Sequence, residues 1–208
     1  MQESRIVHIV DDDEAVRKSL AFLLSSSGLA VRLYDSATAF LAGISGIKSG
    51  CLITDVRMPD MTGIELLHEL RAKSCGLPAI VITGHGDVAL AVEAMKAGAV
   101  DFIEKPFDEE AILRAVQSAL ERGPNGEGGD GEAISARLAS LSERERQVLE
   151  GLIAGHPNKT IAYDLGISPR TVEVYRANLM TKMEASSLSE LIRMAILAKV
   201  SPTRRASK

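Results

Sequence analysis

The 208-residue sequence is 46% hydrophobic and 25% charged, the profile of an ordinary globular chain with room for one large or two smaller domains. No apolar run reaches the roughly 20 residues of a membrane span, the first residues pass straight into three acids rather than a signal peptide, and Cys51 and Cys75 lack CxxC or histidine spacing, so the expectation is a cytosolic chain without a disulfide framework or zinc site. The net charge of −4 conceals 12 Lys/Arg against 18 Asp/Glu in residues 1–122 and 11 against 7 in residues 140–208, an acidic front and a basic back that suits nucleic acid.

In chain order, short β-branched runs alternate with helical patterns: RIVHIV then EAVRKSLAFLLSSSG, AVRLY then SATAFLAGI, CLIT then GIELLHELRA, AIVIT then VALAVEAMKAG, VDFIE then DEEAILRAVQSALE. Val16, Leu20, Leu23 and Leu24 recur at helical spacing, whereas Ile80, Val81 and Ile82 form the continuous run of a strand covered on both faces. Five βα units in series predict an α/β fold with a doubly wound, five-stranded parallel sheet. From Gly123 to Gly131 the chain reads GPNGEGGDG, which neither holds a helix nor buries a core. Beyond it no strand-like segment remains. Helices are predicted over Glu143–Ala154, Asn158–Leu165, Ser168–Met183 and Ser187–Leu197, with Ser142 and Glu145 spaced as a capping box and Ser168 preceding Pro169 as a second helix start. The expected divisions are 1–122, a glycine-rich linker over 123–139, a small all-α unit over 140–199 in which two helices flank a tight turn, and a basic tail over 200–208.

Ligand sites in parallel sheets lie at the carboxyl ends of the strands. Those ends carry Asp11 and Asp12, Asp55, Thr83 and Lys105. Crowded carboxylates need a cation, and oxygen-only donors suit Mg²⁺. With its charge shared, Asp55 can attack phosphorus while Lys105 and Thr83 hold the phosphoryl oxygens. Taken singly each residue has a plainer explanation, such as a helix N-cap for Asp12 or Asp13, and it is their joint occurrence at four strands that favours a site. Gly84 and Gly86 lack the third glycine and the first-strand position of a dinucleotide loop.

VDDD at Val10–Asp13, TDVRMPDMTGIELL at Thr54–Leu67, ITGHGD at Ile82–Asp87 and DFIEKPF at Asp101–Phe107 together resemble a response-regulator receiver domain over residues 5–121. The resemblance implies a CheY-like fold with Asp55 as phosphoacceptor. It further implies Mg²⁺ held by Asp12, Asp55 and the Arg57 backbone carbonyl with Asp11 in support, Thr83 and Lys105 on the phosphoryl group, and a cis Lys105–Pro106 bond. Phe102 falls at the aromatic switch position, where the alternative is a fixed core ring. By analogy Val92 and Lys96 are candidates for a dimer contact formed on phosphorylation, against the plainer reading of an amphipathic helix with a solvated lysine.

In ISPRTVEVYRANLMTKM, Val172, Tyr175, Leu179 and Met183 share an inward face, while Arg170, Glu173, Val174 and Ala177 share another that is free to enter a DNA groove. Lys159, Thr160, Thr171, Arg176 and Lys182 flank it and suit phosphates. A charged helix face is often only solvated. The whole stretch Leu141–Leu197, however, closely resembles a LuxR-type helix-turn-helix domain, with Asn158–Leu165 as scaffold helix, Ser168–Met183 as recognition helix and Ser187–Leu197 as the helix through which relatives pair. Glu173 stands where many relatives have lysine, and an acid there can accept from a cytosine amino group.

The two domains together resemble the NarL/FixJ family of transcription regulators. That implies phosphorylation by a sensor histidine kinase, homodimerisation, binding to promoter double-stranded DNA, a contact with RNA polymerase, and no catalytic turnover beyond slow self-dephosphorylation. FixJ-like members activate nitrogen-fixation genes under low oxygen or serve nodulation and aromatic catabolism. Two rivals are weighed. A haloacid-dehalogenase-type phosphatase needs a second acid two residues after its nucleophile, where Arg57 stands, and a constitutive DNA binder with a degenerate receiver conflicts with the complete acid, threonine and lysine set. The few aromatic residues disfavour a single-strand stacking platform.

Overall fold

The structure is a computed structural model that describes residues 6–47, 49–84, 88–122 and 131–201. The glycine run at 123–130, most of the expected basic tail (202–208) and His85 to Asp87 of the ITGHGD motif lie outside the described residues. The described chain forms two compact units, one holding the five strands with helices α1, α2, α3 and α5, the other holding α4 and α6 to α10.

Strands β1 (Ile6–Val10), β2 (Ala30–Tyr34), β3 (Cys51–Asp55), β4 (Ala79–Thr83) and β5 (Asp101–Glu104) pair in parallel in the order β2-β1-β3-β4-β5. Every residue of β3 and β4 is buried, which is why each is an apolar run, closed by Thr54 and Asp55 in β3 and by Thr83 in β4. In register, Val10 stands beside Thr54 and Asp55 beside Ile82, so the carboxyl ends of β1, β3 and β4 share one edge.

Helix α1 (Glu14–Ser26) starts where Asp13 accepts from the Ala15 and Val16 amides, and it buries Leu20 and Leu24 against Ile9, Ile53 and Ile82. After α2 (Ala37–Ala42), helix α3 (Gly63–Ala72) opens with a Thr62–Glu65 capping box. Helices α4 (Val88–Ala97) and α5 (Glu109–Arg122) follow.

The second unit adds α6 (Gly131–Ala139), α7 (Glu143–Ile153), α8 (Asn158–Leu165), α9 (Pro169–Met183) and α10 (Leu188–Leu197). Helix α6 corrects the expected linker, because residues 131–139 are helical and bury Ile134 and Leu138 in the core with Leu149, Leu152, Val172 and Leu191. The other four helices fall within a residue of the expected bounds, with Ser142, Ser168 and Ser187 as side-chain caps. Gly166 ends α8 at φ 66°, a left-handed conformation that costs glycine no Cβ clash, and the chain turns at once into the Ser168 cap of α9.

Candidate functional site

At the shared strand edge the Lys105 ammonium bridges two carboxylates, donating to Asp55 Oδ1 at 2.7 Å and to Asp11 Oδ2 at 2.9 Å. Both acids are buried, Asp11 to 1% and Asp55 to 7% exposure, so the bridge neutralises charge that water does not reach. The Lys105 amide donates to the Thr83 carbonyl at 2.7 Å, which ties the lysine to the end of β4, and the Lys105–Pro106 bond is cis.

The remaining lone pairs of the two acids are also directed. Asp11 Oδ1 accepts from the Asp13 amide at 2.9 Å, and Asp55 Oδ2 accepts from the Arg57 amide at 2.5 Å. Burial pushes the Asp11 carboxyl above its usual range, only partly countered by the Lys105 hydrogen bond. Burial alone would lower the Lys105 pKa, but the hydrogen bonds to Asp55 and Asp11 outweigh it and hold the ammonium above its ordinary value. The ammonium is therefore the firmly fixed charge of the cluster.

Asp12 is exposed beside Asp11, and Thr83 is buried at the end of β4. Phe102 is half-buried on β5, opposite Val81 in register. Among the described residues no three acidic, histidine or cysteine side chains gather into a metal cage. Of the expected dimer pair, Lys96 is exposed but Val92 is only 3% exposed, so the two do not form a joint surface in this conformation.

Two contributors escaped the sequence reading. Arg17 Nη1 donates to the Asp11 carbonyl at 2.5 Å, holding the strand end from α1. Gly63 lies so close to Asp55 that a Cβ there would stand 2.2 Å from the Asp55 carbonyl oxygen. The TG dipeptide before α3 was the available signal, because a glycine at a helix start commonly marks a close backbone approach.

On α9, Val172, Leu179 and Met183 are fully buried and Tyr175 packs partly against them, while Arg170, Glu173, Val174 and Ala177 are all exposed. Lys159 is exposed and Thr160 half-buried on α8. Two of the flanking cations are already engaged: Arg176 Nη1 donates to Asn158 Oδ1 at 2.9 Å, and Lys182 Nζ donates to Glu145 Oε2 at 2.7 Å. Thr171 shares a 2.8 Å hydroxyl hydrogen bond with Ser168. Lys182 and Thr171 thus brace the helix ends, a role that sequence spacing did not suggest.

Comparison with known proteins agrees with both halves. Residues 7–117 match the response regulator receiver domain family, and residues 139–195 match the luxR family of bacterial regulatory proteins. The chain is 61% identical to the transcriptional regulatory protein FixJ of Azorhizobium caulinodans, over 97% of each chain, and 58% identical to FixJ of Rhizobium meliloti, over 95% of this chain and 98% of that one. The crystal structure of full-length FixJ from B. japonicum is 52% identical over 94% of this chain and 97% of that chain, with a TM-score of 0.55. No described helix is long and apolar enough to cross a membrane. A parallel sheet edged by Asp11, Asp55 and Lys105, joined in one chain to a helix-turn-helix, thus belongs to the NarL/FixJ family of two-component response regulators and is a FixJ-like transcription regulator.

Proposed function

We propose that Asp55 is the phosphoacceptor through which a sensor histidine kinase controls this regulator. The observation that carries the reading is the Lys105 ammonium 2.7 Å from Asp55 Oδ1 and 2.9 Å from Asp11 Oδ2. A carboxylate oxygen of Asp55 attacks the phosphorus of the kinase's phosphohistidine, the O–P bond forms as the P–N bond breaks, and the released imidazole nitrogen takes a proton. Lys105 then turns from the Asp55 carboxylate to the phosphoryl oxygens, and the Thr83 hydroxyl donates to another. Phe102, half-buried two residues from the end of β5, follows Thr83 inward as the switch.

The donor set suits Mg²⁺, which takes one or two carboxylates, a backbone oxygen and water. Asp55, the exposed Asp12 and the Arg57 carbonyl would hold it, with Asp11 behind. Bound there, the ion supplies positive charge to the transferring phosphoryl oxygens. Slow hydrolysis of the Asp55 phosphoryl group resets the protein without making it a turnover enzyme.

The receiver spans residues 1–122 and the DNA-binding unit residues 140–199, extended at its front by α6. Phosphorylation favours a homodimer. α10 pairs within the DNA-binding unit, and a contact through Val92 and Lys96 requires α4 to bring Val92 to the surface. Recognition helix α9 enters the major groove of promoter DNA, with Lys159 and Thr160 meeting phosphates while Arg176 is braced by Asn158, and the bound dimer recruits RNA polymerase from its place in the cytoplasm. The FixJ relatives favour activation of nitrogen-fixation genes under low oxygen over nodulation or aromatic catabolism.

Intact mass after incubation with a small phosphoryl donor and Mg²⁺ tests the chemistry. One phosphoryl increment is expected in the wild type and none in Asp55→Asn or with chelator. An increment that survives Asp55→Asn would place the acceptor elsewhere.

A further inference from the structure

Helix α9 carries four charged side chains, Arg170, Glu173, Arg176 and Lys182. Two of them are held inside the domain, Arg176 by Asn158 and Lys182 by Glu145. The other two, Arg170 and Glu173, are exposed one helical turn apart, and among the described residues neither has a hydrogen-bond or ion-pair partner. The exposed Val174 and the small Ala177 complete their face, and a small residue there lets the helix approach a groove floor closely. The exposed face at the start of α9 therefore offers one cation, one anion and an apolar spot, followed by the exposed Asn178.

An anion is a poor choice for a surface whose only task is to hold phosphates, because it weakens the counterion-release attraction that supplies most DNA affinity. A carboxylate has acceptors and no donor. In the major groove guanine offers N7 and O6 acceptors, thymine offers O4, and the adenine N6 amino group stands beside its own N7 acceptor. The cytosine N4 amino group is the one donor that a carboxylate meets without an opposing lone pair on the same base.

We propose that Glu173 is a specificity-determining residue that reads a cytosine amino group in the major groove, paired with Arg170 reading the O6 and N7 of a guanine. This rests on α9 being the groove-entering helix. Its consequence is a trade: Glu173 lowers affinity for every sequence through phosphate repulsion and restores it only where a C·G pair falls beneath it. Discrimination at that one position is about 10-fold or more over the other bases.

The test is selection of binding sites from a randomised duplex library by the full chain carrying its phosphoryl group, for the wild type, Glu173→Gln and Glu173→Ala. The residue is exposed, and equal melting temperatures verify that all three are folded. The wild type is expected to select a motif with cytosine at one position per half-site. Glu173→Gln should shift that position to adenine, which glutamine contacts at N6 and N7, and Glu173→Ala should leave it without preference, the rest of the motif persisting. The same motif from all three proteins, with uniformly tighter binding by the variants, would overturn the cytosine role and leave only phosphate repulsion. A wild type that selects no motif would overturn the groove-helix reading itself, and this inference with it.

Discussion

Lys182 near the end of α9 reaches back 2.7 Å to Glu145, a carboxylate that is 4% exposed and already caps α7 through Ser142. The Lys182 hydrogen bond, and then the Ser142 amide, hold the Glu145 carboxyl below the usual carboxylate range. One acid thus ties the start of α7 to the far end of α9.

Lys182→Ala should therefore behave as a stability variant. We expect a loss of about 1–2 kcal/mol, below the figure for a fully buried pair because the lysine is 40% exposed. The linkage has a definite sign: a lowered carboxylate pKa stabilises above its unfolded value near 4.5 and the contribution disappears as pH falls through the folded value. Thermal melts at pH 7 and pH 3 should thus show the variant penalty shrinking in acid. A variant with an unchanged melting temperature and a DNA salt slope smaller by about one would make Lys182 a free phosphate contact instead.

Gly63 argues from the opposite direction, through absence of a side chain. Its amide donates to the Val56 carbonyl, and any Cβ there meets the Asp55 carbonyl oxygen at 2.2 Å, a backbone atom that cannot rotate away. Gly63→Ala should cost roughly 1–3 kcal/mol despite the better helix propensity of alanine, and it should slow phosphorylation by displacing Asp55. Equal melting temperature and equal phosphorylation rate would show that the loop yields freely.

Glycine at 63 also illustrates which parts of the site a sequence displays. Asp11, Asp12, Asp55, Thr83 and Lys105 each follow a strand-like run, so parallel-sheet logic alone brings them to one edge. That one lysine bridges Asp11 and Asp55 needs side-chain directions across sequence separations of 94 and 50, which no local pattern encodes. The same holds for Lys182 and Glu145, 37 positions apart. Helix α6 was hidden for a local reason: four glycines precede it and a fifth opens it, and its apolar face consists mainly of Ile134 and Leu138. The pairing of Val92 with Lys96 rests on analogy with relatives, and neighbours on a helix can differ in burial, as these two do.

Lys105 supplies the positive charge between two buried acids, so its removal leaves like charges facing each other. Lys105→Met should destabilise the protein by about 2–4 kcal/mol in metal-free buffer near neutral pH. Because the ammonium pKa is raised, the wild-type contribution is fully present below pH 10.5 and is lost as pH rises through the folded value. Mg²⁺ should raise the melting temperature of the variant more than that of the wild type, since the variant site no longer contains a competing cation. Equal Mg²⁺ effects in parallel melts would show that the ion does not draw on Asp11 and Asp55.

The buried His8 is expected to limit the receiver's stability in acid. The ring is fully buried between Tyr34, whose hydroxyl lies 3.2 Å from Nδ1, and Phe40. Burial, reinforced by the Arg32 charge, lowers its pKa from 6.5 to about 4, and the Ser49 backbone offsets this only in part. A histidine kept neutral stabilises the fold above its unfolded pKa, and that contribution is lost between pH 6.5 and 4 as the unfolded chain takes up a proton that the folded chain refuses. The loss is on the order of 3 kcal/mol by pH 4. His8→Leu, which keeps an apolar side chain in the same layer, should flatten the stability profile across that window while leaving phosphorylation of Asp55 intact at pH 7. Circular dichroism melts from pH 7 to pH 4 measure it, and profiles that fall in parallel for the two proteins would assign the acid sensitivity to carboxylates such as Glu145 rather than to His8.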